Sequence, residues 1–385
     1  MTTTTQCAVL GSGVIGASIA YHLAKAGARV VLIDAAEPAV APSASWASAG
    51  GLRSQGRHGP EQAISIMAAA RWRTLEQELD ADLGVLLGGH LHVAETEAEE
   101  AAVLARVQAD RDAGIAIEQV GAREIREIAP DLSAHLRLGA WTPDDGQANP
   151  ARVAQAFARA AERHGAACLL RSPAQPLVEL GRVTGLLLPS GETLRPEHVI
   201  LAAGAWSIGW LREIGCTLPL RWRGLQMLLS DASPARVSPT VTAVGRNLSL
   251  KQSPSGGIII GGRWFARPVG AAPAVEPIED HVLRQWAGAT AILPDLRNRV
   301  LQRSWAGAEA QTLDSMPFIG SLGETGVYLA TGFSNHGFQV SPMIGALVAD
   351  DLLGQKQDLL NPFRPERSGV PDDAWFRFER EPFRN

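Results

Sequence analysis

One short stretch restricts this chain more than any other: Cys7-Ala8-Val9-Leu10 followed by Gly11-Ser12-Gly13-Val14-Ile15-Gly16. The apolar run 8–10 predicts a fully buried strand, and the apolar spacing over 17–26 predicts a helix. Between them lies a G-x-G-x-x-G pattern in which each glycine has a physical task. Gly11 makes the tight turn, Gly13 leaves room for a pyrophosphate, and Gly16 lets the helix pack closely on the sheet. The helix start at Val14 and Ile15 offers N–H groups and a positive dipole end to phosphate. Gly27 predicts the helix stop, and residues 29–33 predict a second strand that ends in Asp34, with Ala35, also a candidate cofactor contact, opening the loop beyond. Asp34 stands 18 residues past Gly16, close to the roughly 20 expected of a carboxylate that binds a ribose hydroxyl. An acid there suits a free 2′-hydroxyl, hence FAD or NAD rather than NADP. Glycines alone also mark ordinary turns. Strand, glycines, helix, strand and acid in this order point to an ADP-bearing dinucleotide.

With 385 residues, 46% hydrophobic and 19% charged, the chain has the composition of a globular protein and length for two domains. A net charge of −5 with scattered basic residues gives no support to a nucleic-acid or anionic-membrane partner. Residues 1–6 are polar, and no apolar run is long enough to span a bilayer. Neither a secretory leader nor a transmembrane segment is expected, and cytoplasm is the expected location. Cys7, Cys168 and Cys216 are widely spaced with no C-x-x-C pair, so no metal site and no disulfide is expected.

Further along, Ser43, Ser45, Trp46, Ala47, Ser48, Ala49, Gly50 and Gly51 form a run of small residues and hydroxyls that lets backbone and serines approach a ligand. A flexible linker is the plainer alternative. The polar cluster 53–58, with Arg53, Arg57 and His58, is a candidate substrate contact, or else a solvated one. Residues 62–79 predict one long amphipathic helix, and 95–113 an exposed Ala/Glu-rich helix. His90 and His92 fall two apart on a strand over 89–94 and face one side, a pair more often structural than metal-binding. Residues 141–146 are turn chemistry. Asn149-Pro150 predicts an N-cap and first turn of a helix running to 164. Residues 167–170 predict a strand, and 183–194 a hairpin. The run 199–207 predicts a buried strand ending in small residues, among them Ala203 and Gly204, with Trp206 beyond. Extended FAD is gripped by several distant segments, which a nicotinamide domain does not need. Sheet-like pieces at 223–229, 248–252 and 257–261 precede a helix over 280–293. A strand over 327–330 then leads into Gly332-Phe333-Ser334-Asn335-His336-Gly337-Phe338-Gln339, and Ser341-Pro342 predicts the start of a last helix over 343–353.

Four of these stretches together resemble the FAD-dependent amine oxidoreductases that include D-amino-acid oxidase, glycine oxidase and sarcosine oxidase. They are 11–16 with Asp34, 43–51, 199–207, and 305–320 with 332–342. The resemblance covers nearly the whole chain and is strongest towards the sarcosine oxidase beta-subunit and proline dehydrogenase branch. It implies an α/β plus β architecture: a discontinuous Rossmann-type FAD-binding domain (1–88, 146–218 and 313–370) and an inserted antiparallel-sheet substrate domain (89–145 and 219–312), with 371–385 as a tail. It also implies the reaction, oxidation of an amine C–N bond to an imine by hydride transfer to flavin N5, followed by hydrolysis. The expected substrate is an amino acid or secondary amine of the sarcosine, proline, hydroxyproline, D-amino-acid or opine type. The resemblance gives Arg53 the role of holding the substrate carboxylate, and the candidate catalytic set is Arg53, Glu309, His336, Gln339 and Arg263. Gln339 replaces a lysine of the relatives, and 306–309 lacks the arginine of glycine oxidases, so Glu309 becomes available to a second amine. Ala47 stands where some relatives carry a flavin-tethering histidine, and no cysteine follows Cys216, so FAD is expected to be non-covalent. Ile259 stands where a lysine activates oxygen in monomeric sarcosine oxidases. This favours a dehydrogenase that passes electrons to a partner subunit or quinone, although Arg263 or His336 could supply the charge. Two alternatives remain: an NAD-dependent dehydrogenase, and a subunit that carries FAD for electron transfer or assembly without turnover of its own.

Overall fold

In the computed structural model, which describes residues 5–57 and 59–367, the strand Cys7–Leu10 lies inside a six-stranded sheet. The order is Phe318–Ser321, Val327–Thr331, His198–Leu201, Cys7–Leu10, Val30–Ile33, Ala167–Leu169. All pairs are parallel except the first. Successive side chains of a strand point to opposite faces, so a strand covered on both sides is apolar throughout. Cys7 and Val9 accordingly join one core cluster, and Ala8 and Leu10 another. On the first face the helix Val14–Lys25 packs between Pro150–Arg163 and Gly337–Leu352. The other face carries the antiparallel sheet of Gln175–Glu179, Arg182–Leu187 and Thr193–Leu194.

A second, ten-stranded sheet is built around Leu220–Ala232, which pairs with Leu301–Thr312 along most of its length. It is antiparallel apart from one pair, Thr240–Ala243 with His90–Ala94, which runs parallel. One of its faces is sealed by the helix Glu279–Ile292 over Leu228, Leu250, Ile258 and Ile260. The opposite face, carrying His90, His92, Thr240, Thr242 and Ser249, turns towards a cavity shared with the first sheet.

Several expectations change in detail. The helix expected over 62–79 is two, Glu61–Trp72 and Leu75–Leu79, parted where Thr74 leaves helical geometry and Trp72 Nε1 donates to Gln339 O at 2.7 Å. The last helix starts not at Ser341-Pro342 but at Gly337. Pro342 has no N–H to give Phe338 O, and the Ser341 hydroxyl donates to that carbonyl instead, at 2.8 Å. The strand within 199–207 ends at Leu201, and the small residues beyond it form a turn and a 3₁₀ segment, Gly204–Trp206. Asn149 does cap the helix Pro150–Arg163, accepting from Ala151 N and Arg152 N. His58 and the tail 371–385 lie outside the described residues. Among those described, no helix is long and apolar enough to cross a membrane, no cluster could hold a metal, and the three cysteines are free thiols.

Candidate active site

One continuous cavity of about 1060 Å³ runs from Gly11 and Asp34 to Arg53, Glu309 and His336. Its outer end is a phosphate cradle. Gly11 has φ +105°, and a Cβ there would sit 2.5 Å from Ala202 O; a Cβ on Gly16 would sit 1.9 Å from Gly11 O. The strand–turn–helix is thus possible only with glycine at both places. Gly16 itself does not line the cavity; it holds the turn against the helix. The helix has no side-chain cap at Gly13, and Val14 N donates to Ser45 Oγ at 3.0 Å. Its first turn therefore points at the cavity with Ile15 beside it. Asp34 closes this end. Its carboxylate accepts Ser12 N at 2.5 Å, Ser12 Oγ at 2.8 Å and Ala36 N at 2.9 Å. Ala35, Ser43, Ala47, Ser48, Ala49, Gly50 and Gly51 line the wall with Ala203, Gly204 and Trp206. Trp46 does not line it; its ring lies against Arg303, with the guanidinium carbon 5.2 Å from the centroid. Residues 43–51 are no linker, because Ser43 bridges to Ala308 and caps the helix Ala44–Ala47. A glycine cradle, an uncapped helix start and a ribose-height carboxylate in one elongated cavity fit a dinucleotide such as FAD.

At the inner end Arg53, Arg57, Arg263, Glu309, His336 and Gln339 all line the cavity. Asp145 fixes the loop that carries Arg53: it accepts Ser54 N at 2.8 Å, Ser54 Oγ at 2.5 Å and Gln55 N at 3.2 Å. Burial first, then the Arg57 and Arg106 guanidiniums, pull the Arg53 pKa down to about 9, against Asp145 and Asp110. It remains charged at neutral pH. Arg57 is buried, its pKa lowered by burial against Glu61 and Asp145, and it is not the solvated side chain of the plainer reading. His336 Nδ1 lies 2.8 Å from Glu61 Oε2. Burial and Arg57 hold its pKa down to about 4 despite Glu61, so the ring is neutral at pH 7. A neutral ring beside a carboxylate donates through Nδ1 and leaves Nε2 as an acceptor.

Glu309 is pushed up to about 7 by burial, against hydrogen bonding from Gln311, the Arg263 charge and the Asn335 N–H. Gln311 Nε2 donates to its Oε1 at 2.7 Å. Arg263 is exposed at the mouth with φ +66°. In the neighbouring loop Ser334 and Asn335 both have left-handed backbone, at φ +48° and +72°, a conformation that costs a non-glycine residue roughly 1–3 kcal/mol. Ser334 Oγ secures the bend by accepting from Thr312 N and donating to Gly332 O. Gly332, Phe333, Ser334, Asn335, Gly337 and Phe338 line the cavity here. Gln339 does not offer its amide to the cavity. Its Oε1 accepts from Ser65 Oγ and its Nε2 donates to Ser65 O, which ties the last helix to Glu61–Trp72.

Three groups had no sequence signal as site residues: Glu61, Asp145 and the pair Arg106–Asp110. The helix Glu97–Asp112, expected to be merely exposed, buries Asp110, which accepts Gly56 N at 2.9 Å. Asp145 stood in a readable turn, but its partners lie 91 and 90 positions away. His90 Nε2 and His92 Nδ1 share Thr242 Oγ1 at 2.9 and 2.8 Å. Lys251 is 4% exposed, stands directly opposite Ile259 and is lowered to about 7 by burial alone.

The chain is similar throughout to known flavoenzymes. It is 27% identical over 372 residues to glycine oxidase of Bacillus licheniformis, covering 93% of this chain and 96% of that one. It is 27% identical over 306 residues to sarcosine oxidase subunit beta of an Arthrobacter species, covering 77% and 74%. The L-proline dehydrogenase structure from P. horikoshii superposes with a TM-score of 0.86 at 25% identity, covering all of both chains. The model of the family described as FAD dependent oxidoreductase matches residues 6–351, and with the cradle, the acid and the cavity the conclusion is that this chain belongs to the DAO family of FAD-dependent oxidoreductases.

Proposed function

We propose that this chain oxidises the C–N bond of an amino acid or secondary amine to an imine, which water then hydrolyses. The observation that carries the reading is the joint placement of Arg53 and Glu309 in the cavity that begins at the Gly11–Gly16 turn. Gly11, Gly13, Val14, Asp34, the 43–51 wall, Ala203, Gly204 and the 332–338 loop would hold FAD. When bound, FAD would supply the acceptor for the hydride that leaves the carbon next to nitrogen, while the nitrogen lone pair completes the C=N bond. Arg53 takes the substrate carboxylate, where a guanidinium gives bidentate geometry. Glu309, ionised above about 7, takes the ammonium proton and frees the nitrogen lone pair. The start of the Gly337–Leu352 helix turns its positive dipole end to the same space. In this reading the first sheet and its helices (1–88, 146–218, 313–370) form the cofactor unit and the ten-stranded sheet (89–145, 219–312) the substrate cover. The likeness to glycine oxidase, to a sarcosine oxidase subunit and to L-proline dehydrogenase supports small amino acids and N-alkyl amino acids as substrates.

In this reading FAD is held without a covalent bond: Ala47, at the place of the tethering histidine, lies against Gly307, and among the described residues none of the three free cysteines lines the cavity. Acid precipitation should leave the yellow colour in the supernatant. The working location is the cytoplasm, and the electron acceptor a partner subunit or quinone. Lys251 favours oxygen as a second reading, because it sets a buried amine opposite Ile259 on the sheet face that turns Ser249 to the cavity. Peroxide yield against dye reduction, with one amine and Lys251→Met alongside, decides between the two. The reaction itself is tested by anaerobic bleaching of the flavin in this chain alone, over L- and D-amino acids, N-methyl amino acids, prolines and opines. Bleaching by at least one class is expected; a flavin that no amine reduces would leave only the role of an electron-transfer or assembly subunit.

A further inference from the structure

We propose that the Arg53–Arg57 end of the cavity is built for two anions, so that the preferred substrate is an amino acid carrying a second carboxylate on its nitrogen or side chain. This rests on the amine oxidation proposed above and narrows its substrate class. Arg57 is 5% exposed and lines the cavity, yet its Nη1 has no hydrogen-bond partner. Its Nε is used on the Arg53 backbone carbonyl at 3.3 Å, and its charge is near enough to lower the Arg53 pKa. A buried guanidinium left with an unmade hydrogen bond is unfavourable, and a ligand oxygen removes the penalty.

The carboxylates nearby, Asp145 and Asp110 acting on Arg53 and Glu61 and Asp145 on Arg57, offset part of the charge without bonding either guanidinium. Asp145 is occupied by the N–H groups of Ser54 and Gln55 and the Ser54 hydroxyl, Asp110 accepts Gly56 N, and Glu61 meets His336. Among the described residues neither Arg53 nor Arg57 forms an ion pair. A third cation stands behind them. Gly56 has φ +67°, and a Cβ on it would lie 1.9 Å from Arg106 Nη1, an atom that is also buried and unpartnered. Only glycine lets this guanidinium come so close, and Arg106 in turn lowers the pKa of Arg53. One substrate carboxylate answers Arg53. Arg57 then calls for a second.

The experiment compares iminodiacetate, N-(1-carboxyethyl) amino acids and D- and L-glutamate with sarcosine and proline, by anaerobic flavin reduction in wild type, Arg57→Gln and Arg57→Lys. One class of dicarboxylate should reduce the flavin about tenfold or more faster per unit concentration, the worth of one charged hydrogen bond. Arg57→Gln should collapse that ratio towards one, and Arg57→Lys restore part of it. A second readout does not use turnover: glutarate should perturb the flavin spectrum and raise the Tm of wild type more than butyrate does, a difference Arg57→Gln removes. Equal reduction by mono- and dicarboxylates, with Arg57→Gln slowing all alike, would mean that both arginines share one carboxylate and would overturn the inference. If no amine reduces the flavin, the proposed reaction falls, while the glutarate–butyrate comparison still decides for or against the two-anion site. Should Arg57→Gln fail to fold, the wild-type ratios and Arg57→Lys decide it.

Discussion

A carboxyl deprived of water keeps its proton longer, and Glu309 keeps its proton to about 7 against an ordinary 4.5 because burial outweighs Gln311, Arg263 and the Asn335 N–H. Reduction of the flavin by an amine should therefore accelerate as pH rises through about 7, and Glu309→Gln should remove this limb and lower the rate. The sign for stability is opposite. Between 4.5 and 7 the folded chain binds a proton the unfolded chain has lost, so Glu309 costs stability progressively over that window and fully above it. Melting curves of wild type should fall with pH across this range more steeply than those of Glu309→Gln. Asp145 acts through others. Asp145→Ala leaves buried Ser54 and Gln55 groups unpaired, at about 1–3 kcal/mol for each such group, and loosens the loop that aims Arg53. A raised KM with a lower Tm is the expected outcome, and an unchanged KM would show that the loop holds itself. Of these residues, Arg53 could be named because its segment matches a family pattern, and Glu309 because its segment departs from one. Glu61 and Asp145 could not, because a single acid carries no mark of a partner far along the chain.

At the level of elements, periodicity and cap chemistry were legible where one residue decides the outcome locally. The turn around Gly11 and the Asn149 cap are of this kind. They failed where a remote contact decides. Pro342 reads as a first-turn proline, yet it sits inside the helix because Ser341 supplies the hydrogen bond that the proline cannot. The two positions are therefore coupled. Ser341→Ala alone should cost about 1 kcal/mol by leaving Phe338 O unpaired. In Pro342→Ala, which restores the N–H, the same serine change should cost nearly nothing. A denaturation double-mutant cycle measures that difference, and additive values would break the argument. The single helix expected over 62–79 failed for a related reason: Trp72 and Ser65 are committed to Gln339, a residue of the last helix.

Across the whole molecule, the end of the described chain is strapped to the first sheet. Arg364 meets Asp351 through two bonds of 2.7 and 2.8 Å, and Tyr328 donates to the same carboxylate at 2.7 Å. These bonds hold the Asp351 pKa below its ordinary value against its burial, so the strap contributes above the usual carboxylate range and is lost as pH falls through it. Arg364→Ala should lower Tm, by about 1–3 kcal/mol in stability for a charged hydrogen-bonded pair, and the deficit should shrink in acid. The two-sheet architecture was legible because the motifs sit on its strands; the parallel pair of His90–Ala94 with Thr240–Ala243 was not, since it joins segments separated by another whole unit. Strand order has a consequence for the chain as it is made. His198–Leu201, the neighbour of the first strand, completes its pairing only with Val327–Thr331. On the ribosome the nascent chain therefore carries an unpaired, apolar strand edge until Val327–Thr331 emerges. Synthesis of this protein passes through a long interval in which aggregation competes with folding and the cofactor has no finished site to stabilise.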